Sequence, residues 1–193
     1  MQYTGKYHSP LGEILLACDE IGLTGLWFDR EKYYVLSLDP NHEERETDIL
    51  RETRKWLDIY FAGKGPDFFP PIHMLGTPFQ LSVWNILRSI PYGKTTTYGE
   101  IAAQLAKDAG VAHMSAQAVG GAVGHNEISI IIPCHRVVGK NGSLTGYAGG
   151  IDKKTALLKL EGSFQKNFFV PNSSTTSRCC LLPNTSFFRS ESR

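Results

Sequence analysis

Runs rich in β-branched, aromatic and other apolar residues occupy positions 3–7, 13–18 and 22–28, separated by Ser9-Pro10-Leu11-Gly12 and Asp19-Glu20. Short runs broken by turn residues predict a small antiparallel meander. The period then changes. Over 48–61 the apolar residues Ile49, Leu50, Trp56, Leu57, Tyr60 and Phe61 recur at helical spacing, with Thr47 placed to cap and Gly63 to stop the helix. The next stretch, Gly65-Pro66-Asp67-Phe68-Phe69-Pro70-Pro71, reads as a stiff linker whose two aromatics lie against both halves of the chain. A sharp helix start follows. Thr77 can cap, Pro78 suits the first turn, Gln80 completes a capping box, and Phe79, Val83, Ile86, Leu87 and Ile90 form the buried face. Thr97-Tyr98-Gly99-Glu100 is a second capping box, opening a helix through Ile101, Ala102 and Leu105, and a third helix starts near Ser115 after a turn at Gly110. That is helix-turn-helix spacing.

Ala116, Ala118, Gly120, Gly121 and Ala122 make the third helix thin enough to press against a neighbouring helix or a DNA backbone. Each glycine lowers its intrinsic helicity by about 1 kcal/mol, so packing must hold it. Further on, Ile130-Ile131-Ile132 reads as a strand covered on both faces, ended by Pro133, with Cys134 held at its tip and His135 beside it. Taken alone, Cys134 reads more readily as an inert buried thiol than as a nucleophile. Its neighbours change that.

Ala118-Val119-Gly120-Gly121-Ala122, then Asn126, then Ile132-Pro133-Cys134-His135-Arg136-Val137-Val138, then Gly146-Tyr147-Ala148-Gly149-Gly150 stand in one order. Upstream are Pro78-Phe79-Gln80 with Val83-Trp84, and Ile90-Pro91-Tyr92-Gly93-Lys94 with Thr97-Tyr98. This ordered set resembles the O6-alkylguanine-DNA alkyltransferases of the bacterial type, also called methylated-DNA-protein-cysteine methyltransferases. The likeness runs from about Thr77 to Gly162 and, more thinly, through Ser9-Pro10-Leu11-Gly12. It implies an α+β protein with a ribonuclease H-like, small antiparallel-sheet N-terminal domain over 1–75 and a winged helix-turn-helix active-site domain over 76–162. Residues 163–193, rich in Ser, Thr and Asn, read as a disordered tail.

By the same resemblance the chain is expected to move the alkyl group of O6-alkylguanine, with O4-alkylthymine as a second candidate substrate, from DNA onto Cys134, once and irreversibly. His135 would take the thiol proton through a water, Glu161 would orient His135, Tyr98 would donate toward the flipped base, and Asn126 would tie the active-site loop to the helix-turn-helix. Without the likeness Glu161 is a helix-end carboxylate, Tyr98 a capping-box residue and Asn126 a turn residue. Tyr147, Ala148 and Gly149 would wall the base pocket; Ala116, Gln117, Ala118, Gly120, Arg136 and Val137 would face DNA or substrate. One position departs from the family: Gln117 stands where an arginine normally inserts into the duplex, which removes a charge but keeps a long polar side chain.

No dissociable cofactor is implied. Some relatives hold a structural zinc; Cys18 and His73 stand near two of those ligand places, the other ligands are missing, and no metal is expected. The partner is duplex DNA with its alkylated guanine turned out of the stack, and the protein is expected to act as a monomer.

Charge agrees with this assignment. Residues 1–75 carry 8 basic and 13 acidic side chains, whereas 76–162 carry 8 and 5, which makes the second segment the candidate DNA-facing one, though such a split also serves solubility. With 41% apolar residues, no membrane-span pattern and four cysteines in no disulfide framework, a cytoplasmic protein is expected. A cysteine hydrolase fits poorly, because adjacent strand residues point to opposite faces. An alkylguanine sensor without repair activity would lack the reactive cysteine.

Overall fold

A computed structural model describes residues 1–29, 31, 35 and 37–171. Strands β1 (Tyr3–Ser9), β2 (Gly12–Cys18) and β3 (Leu23–Phe28) form the expected antiparallel meander, and a two-residue strand β4 (Glu43–Glu44) adds in parallel to β1, giving the order β3-β2-β1-β4. Helix α1 (Asp48–Phe61) covers the sheet, its Thr47 side chain accepting from Leu50 N. Leu50, Trp56, Leu57 and Tyr60 are its buried face, packed with Ile14, Leu16, Leu26 and Phe28.

The linker touches both halves. Trp56 Nε1 donates to Phe68 O at 2.9 Å, and the Phe69 ring lies near Trp56 and beneath the Arg88 guanidinium. It then joins β3, since Leu23 N donates to Pro71 O and His73 N to Leu23 O, each at 2.8 Å.

Three helices follow: α2 (Pro78–Arg88), α3 (Tyr98–Asp108) and α4 (Ala116–Gly124). Both capping boxes form, and Ser115 caps α4 through Ala118 N. The buried face of α2 is Val83, Trp84 and Leu87; Phe79 and Ile86 are half-buried. The small residues of α4 divide between the two roles open to them. Val119, Ala122 and Val123 pack inward, with Ala122 O accepting from Trp84 Nε1 at 2.9 Å, while Ala116, Gln117, Ala118 and Gly121 are exposed. Strands β5 (Thr96–Thr97) and β6 (Val137–Val138) pair in parallel, and α5 (Ile151–Leu160) closes the unit.

Two expectations are corrected. The Ile130-Ile131-Ile132 run is a buried turn, not a strand: Ile130 has φ of 70°, and Ile132 N donates to Ile128 O at 3.0 Å. A β-branched residue there is strained by about 1–3 kcal/mol. A continuous apolar run reports burial, which a turn inside the core satisfies as well as a strand. The chain after Gly162 also remains structured through Phe169, where Leu144 N donates to Phe169 O at 2.8 Å and Ser143 bridges Phe169. Residues 172–193 of the expected tail lie outside the described residues.

Candidate active site

The site is built where the two halves meet. Leu26 of β3 receives the turn that leads to Cys134: Leu26 N donates to Glu127 O at 2.8 Å and Ser129 N to Leu26 O at 3.0 Å. The turn therefore borrows the edge of the N-terminal sheet as a rigid template. Cys134 follows it in a single 3-10 turn (Cys134–Arg136) and is 3% exposed.

Asn126, just past the end of α4, organises this turn. Its Nδ2 donates to Ile132 O at 2.8 Å and to Cys134 Sγ at 3.2 Å, while its Oδ1 accepts from Ile128 N at 3.0 Å. One side chain thus links the helix that would face DNA, the strained turn and the thiol. Burial pushes the Cys134 thiol up to about 11; the Asn126 bond pulls it down, Glu31 pushes it up and Lys154 pulls it down. At neutral pH the sulfur is therefore a protonated thiol, which only a base would turn into a thiolate.

His135 is fully buried, with Nε2 2.7 Å from Glu161 Oε1. Burial holds the imidazole below its ordinary pKa, so the ring is neutral at pH 7. Because Glu161 can only accept, Nε2 carries the proton, and Nδ1 keeps its lone pair. That Nδ1 is buried and has no hydrogen-bond partner among the described residues. Burial works against the charge on Glu161, yet bonds from His135 and Arg136 hold its carboxyl at about 2. Tyr60 Oη also donates to Oε1 at 2.7 Å and Gly93 N to Oε2 at 3.2 Å.

Arg136 is a correction. It was expected, with Val137, to face DNA or substrate; both are buried, and the Arg136 guanidinium is turned inward. Arg136 donates through Nε and Nη2 to the two Glu161 oxygens, each at 2.9 Å, and through Nη1 to Ile90 O at 2.6 Å. Val137 lies in β6, paired with Thr96. The buried carboxylate needs a counter-charge more than the surface needs another cation.

Tyr98 opens α3 and donates to Thr145 O at 3.0 Å. Tyr147 is buried edge-on to His135, with ring centroids 6.4 Å apart. Ala148 and Gly149 are half-buried beside it, and a Cβ on Gly149 would stand 2.8 Å from the Tyr147 ring, so this packing requires glycine. Gly120 faces the Tyr98 ring from α4. Gln117, with Ala116 and Ala118, stands exposed on the first turn of α4, clear of this buried cluster.

Three residues escaped the sequence reading. Lys154 is fully buried and donates to Val137 O at 2.7 Å and Thr145 O at 2.8 Å, tying β6 to the loop before Tyr147. Burial lowers its amine to about 8. A signal existed: Lys154, Leu157, Leu158 and Glu161 share one helical face at i, i+3, i+4 and i+7, where a lysine is out of place. Tyr60 and Glu31 had no local signal, because each reaches the site across the domain boundary.

Cys18 and His73 have other partners. Cys18 Sγ is 3.2 Å from Thr47 Oγ1 and His73 Nδ1 is 2.6 Å from Asp19 Oδ2; among the described residues no three His, Cys, Asp or Glu side chains gather as a metal site.

Comparison with known proteins agrees with the architecture. Two family models match: the ribonuclease-like domain of 6-O-methylguanine DNA methyltransferase over residues 2–73 and its DNA-binding domain over 78–163. The methylated-DNA--protein-cysteine methyltransferase of Methanosarcina acetivorans is 47% identical over 161 residues, covering 83% of this chain and 99% of that one. The crystal structure of Mycobacterium tuberculosis O6-methylguanine methyltransferase superposes with a TM-score of 0.71 at 40% identity, over 84% of this chain and 94% of that one. A structure of the M. tuberculosis protein in complex with DNA gives a TM-score of 0.69 at 40% identity, over 84% and 92%. An α+β fold with a small N-terminal sheet and a helical C-terminal region, carrying these two family domains in order along one chain, makes this protein a member of the 6-O-methylguanine DNA methyltransferase family.

Proposed function

We propose that this chain repairs DNA by moving the alkyl group of O6-alkylguanine onto Cys134 Sγ, once per molecule. The observation that carries the reading is the contact of Cys134 Sγ with Asn126 Nδ2 at 3.2 Å beside a His135 bonded to Glu161 at 2.7 Å. DNA is the partner, docked as a duplex on the exposed face of α4 through Ala116, Gln117 and Ala118, with Gly120 behind them lining the approach to Tyr98. The O6 atom of a stacked guanine is out of reach, so the base turns out of the duplex, and Gln117 occupies the space it leaves.

Tyr98, Tyr147, Ala148 and Gly149 wall the extruded base. The Cys134 proton passes through a water to His135 Nδ1, and the Glu161 carboxylate stabilises the resulting imidazolium. Sulfur then attacks the alkyl carbon: the S–C bond forms as the C–O6 bond breaks, and its electron pair goes to the purine. Tyr98 gives its phenolic proton to the departing guanine, and the His135 imidazolium returns the thiol's proton through water to the Tyr98 oxygen, so the guanine leaves neutral and both side chains regain their resting forms. Because a thioether has no leaving group that thiol exchange could restore, the molecule acts once. Residues 1–75 serve as the template for the active-site turn and 76–162 carry the chemistry.

Among the described residues no helix is long and apolar enough to cross a membrane. A free nucleophilic thiol is kept in a reducing compartment, and we assign a monomeric protein working in the cytoplasm. The test is intact and peptide mass after incubation with a duplex carrying one O6-methylguanine. One methyl on the Cys134 peptide, saturating at one equivalent and absent in Cys134→Ser, is expected; tight binding without a mass change would make the protein a lesion sensor.

A further inference from the structure

Glu31 is a carboxylate 5% exposed, three residues past the end of β3, and the reaction described above gives it no step. The chain closes on itself there, with Glu31 N donating to Phe28 O at 3.1 Å and Phe28 N to Glu31 Oε2 at 2.8 Å. That leaves Oε1 aimed across the domain boundary, where it accepts from Ser129 Oγ at 2.6 Å. Ser129 is fully buried and sits one residue before Ile130, the strained position of the active-site turn. The two backbone bonds of Leu26 grip Glu127 and Ser129 from the same strand. The Glu31–Ser129 bond is therefore the side-chain clasp over a turn that two main-chain bonds already hold.

We propose that Glu31 is a positioning residue for alkyl transfer, clamping Ser129 so that the strained turn presents Cys134 and Asn126 in reactive register. This rests on the functional reading above and adds the N-terminal domain to the machinery that sets the thiol's reactivity. The charges facing Glu31 are Glu127 from the loop after α4 and Lys153 from α5, whose Nζ stands 5.4 Å over the Phe28 ring. Glu127 is itself held by Trp27 Nε1 at 2.8 Å and Ser37 Oγ at 3.0 Å. On the far side are Cys134 and Tyr147, both pushed up by the Glu31 charge, with Lys154 opposing it at Cys134.

Burial raises the Glu31 carboxyl to about 7, against the pull of Ser129 and Phe28 N. Ionising Glu31 thus sets a negative charge against the thiol in the neutral range. Glutamine keeps the clasp and removes the charge: its oxygen accepts from Phe28 N and its amide donates to the Ser129 hydroxyl, which can reverse its role. Alanine removes both.

The experiment measures single-turnover methyl transfer from an O6-methylguanine duplex, and the pH profile of iodoacetamide alkylation of the Cys134 peptide, in the full chain. Glu31→Ala and Ser129→Ala are expected to slow transfer by about tenfold or more. Glu31→Gln is expected to keep transfer within about twofold of wild type, and to move the Cys134 alkylation profile to lower pH. Wild-type transfer rates in both alanine variants, or a Glu31→Gln profile that coincides with wild type, would overturn the proposal. Should Glu31→Ala fail to fold, Ser129→Ala and Glu31→Gln decide it. A wild-type protein that transfers no methyl would sink the repair reading instead, while the alkylation profile still reports whether Glu31 acts on Cys134.

Discussion

Replacing Glu161 by glutamine removes a charge that three side chains use at once. Its oxygens accept from Tyr60 Oη, His135 Nε2, Arg136 Nη2, Arg136 Nε and Gly93 N, and all of these are donors. Whichever way the new amide turns, its NH2 faces donors, and Arg136 stays buried without a counter-charge. The carboxyl is held at about 2 against an ordinary 4.5, and at about 1.4 kcal/mol per pH unit that depression corresponds to roughly 3 kcal/mol of stability. Orphaning a buried cation brings the expected loss for Glu161→Gln to about 3–5 kcal/mol. For a chain of this size each kcal/mol lowers Tm by about 2–4 °C, so a fall of about 6–20 °C is expected.

The pH dependence has a definite sign. Glu161 is more acidic folded than unfolded, so its contribution is present above the unfolded value and is lost as pH falls toward about 2. Urea unfolding of wild type and variant should therefore show a gap that is flat from pH 7 to 5 and has lost more than half of its ionisation part by pH 3. Single-turnover transfer should slow by about a hundredfold, since the imidazolium formed at His135 loses its stabilising carboxylate. A gap under about 1 kcal/mol at pH 7, or one unchanged at pH 3, would refute the reasoning.

Two further outcomes follow from the same geometry. Lys154→Met leaves the carbonyls of Val137 and Thr145 without a donor, at a cost of about 2 kcal/mol at pH 7. Folded Lys154 binds its proton less tightly than unfolded, so wild-type stability rises between pH 8 and 10.5 and the gap should widen there by up to about 3 kcal/mol, as read by urea unfolding; a constant gap would contradict the buried amine. Gln117→Arg restores a cation at an exposed position on α4 and should speed repair of duplex substrate and steepen the salt dependence of binding by about one unit of log–log slope; an unchanged rate and slope would remove Gln117 from the DNA interface.

Local chemistry made much of the architecture readable from residues alone. Thr47, Thr77, Thr97 and Ser115 cap the helices they were expected to cap, because a cap is a contact between residues three apart and needs no tertiary partner. The ordered motifs around Cys134 likewise named Asn126, His135 and Glu161, which the fold bonds to Cys134 or to one another. What local pattern misread was burial. Ile130-Ile131-Ile132 and Arg136 both lie inside, but whether an apolar run is strand or turn, and whether an arginine meets a phosphate or a carboxylate, is decided by what packs opposite. Leu26 of β3 fixes the turn from about a hundred residues away in a chain whose sequence shows no sign of that pairing, and Glu161 gathers Tyr60, Gly93 and the adjacent His135 and Arg136 from three separate segments. Short-range hydrogen bonds are written into neighbouring residues, whereas the protonation states of Cys134, His135, Lys154 and Glu161 arise from desolvation and counter-charges that exist only once the two halves have closed on each other.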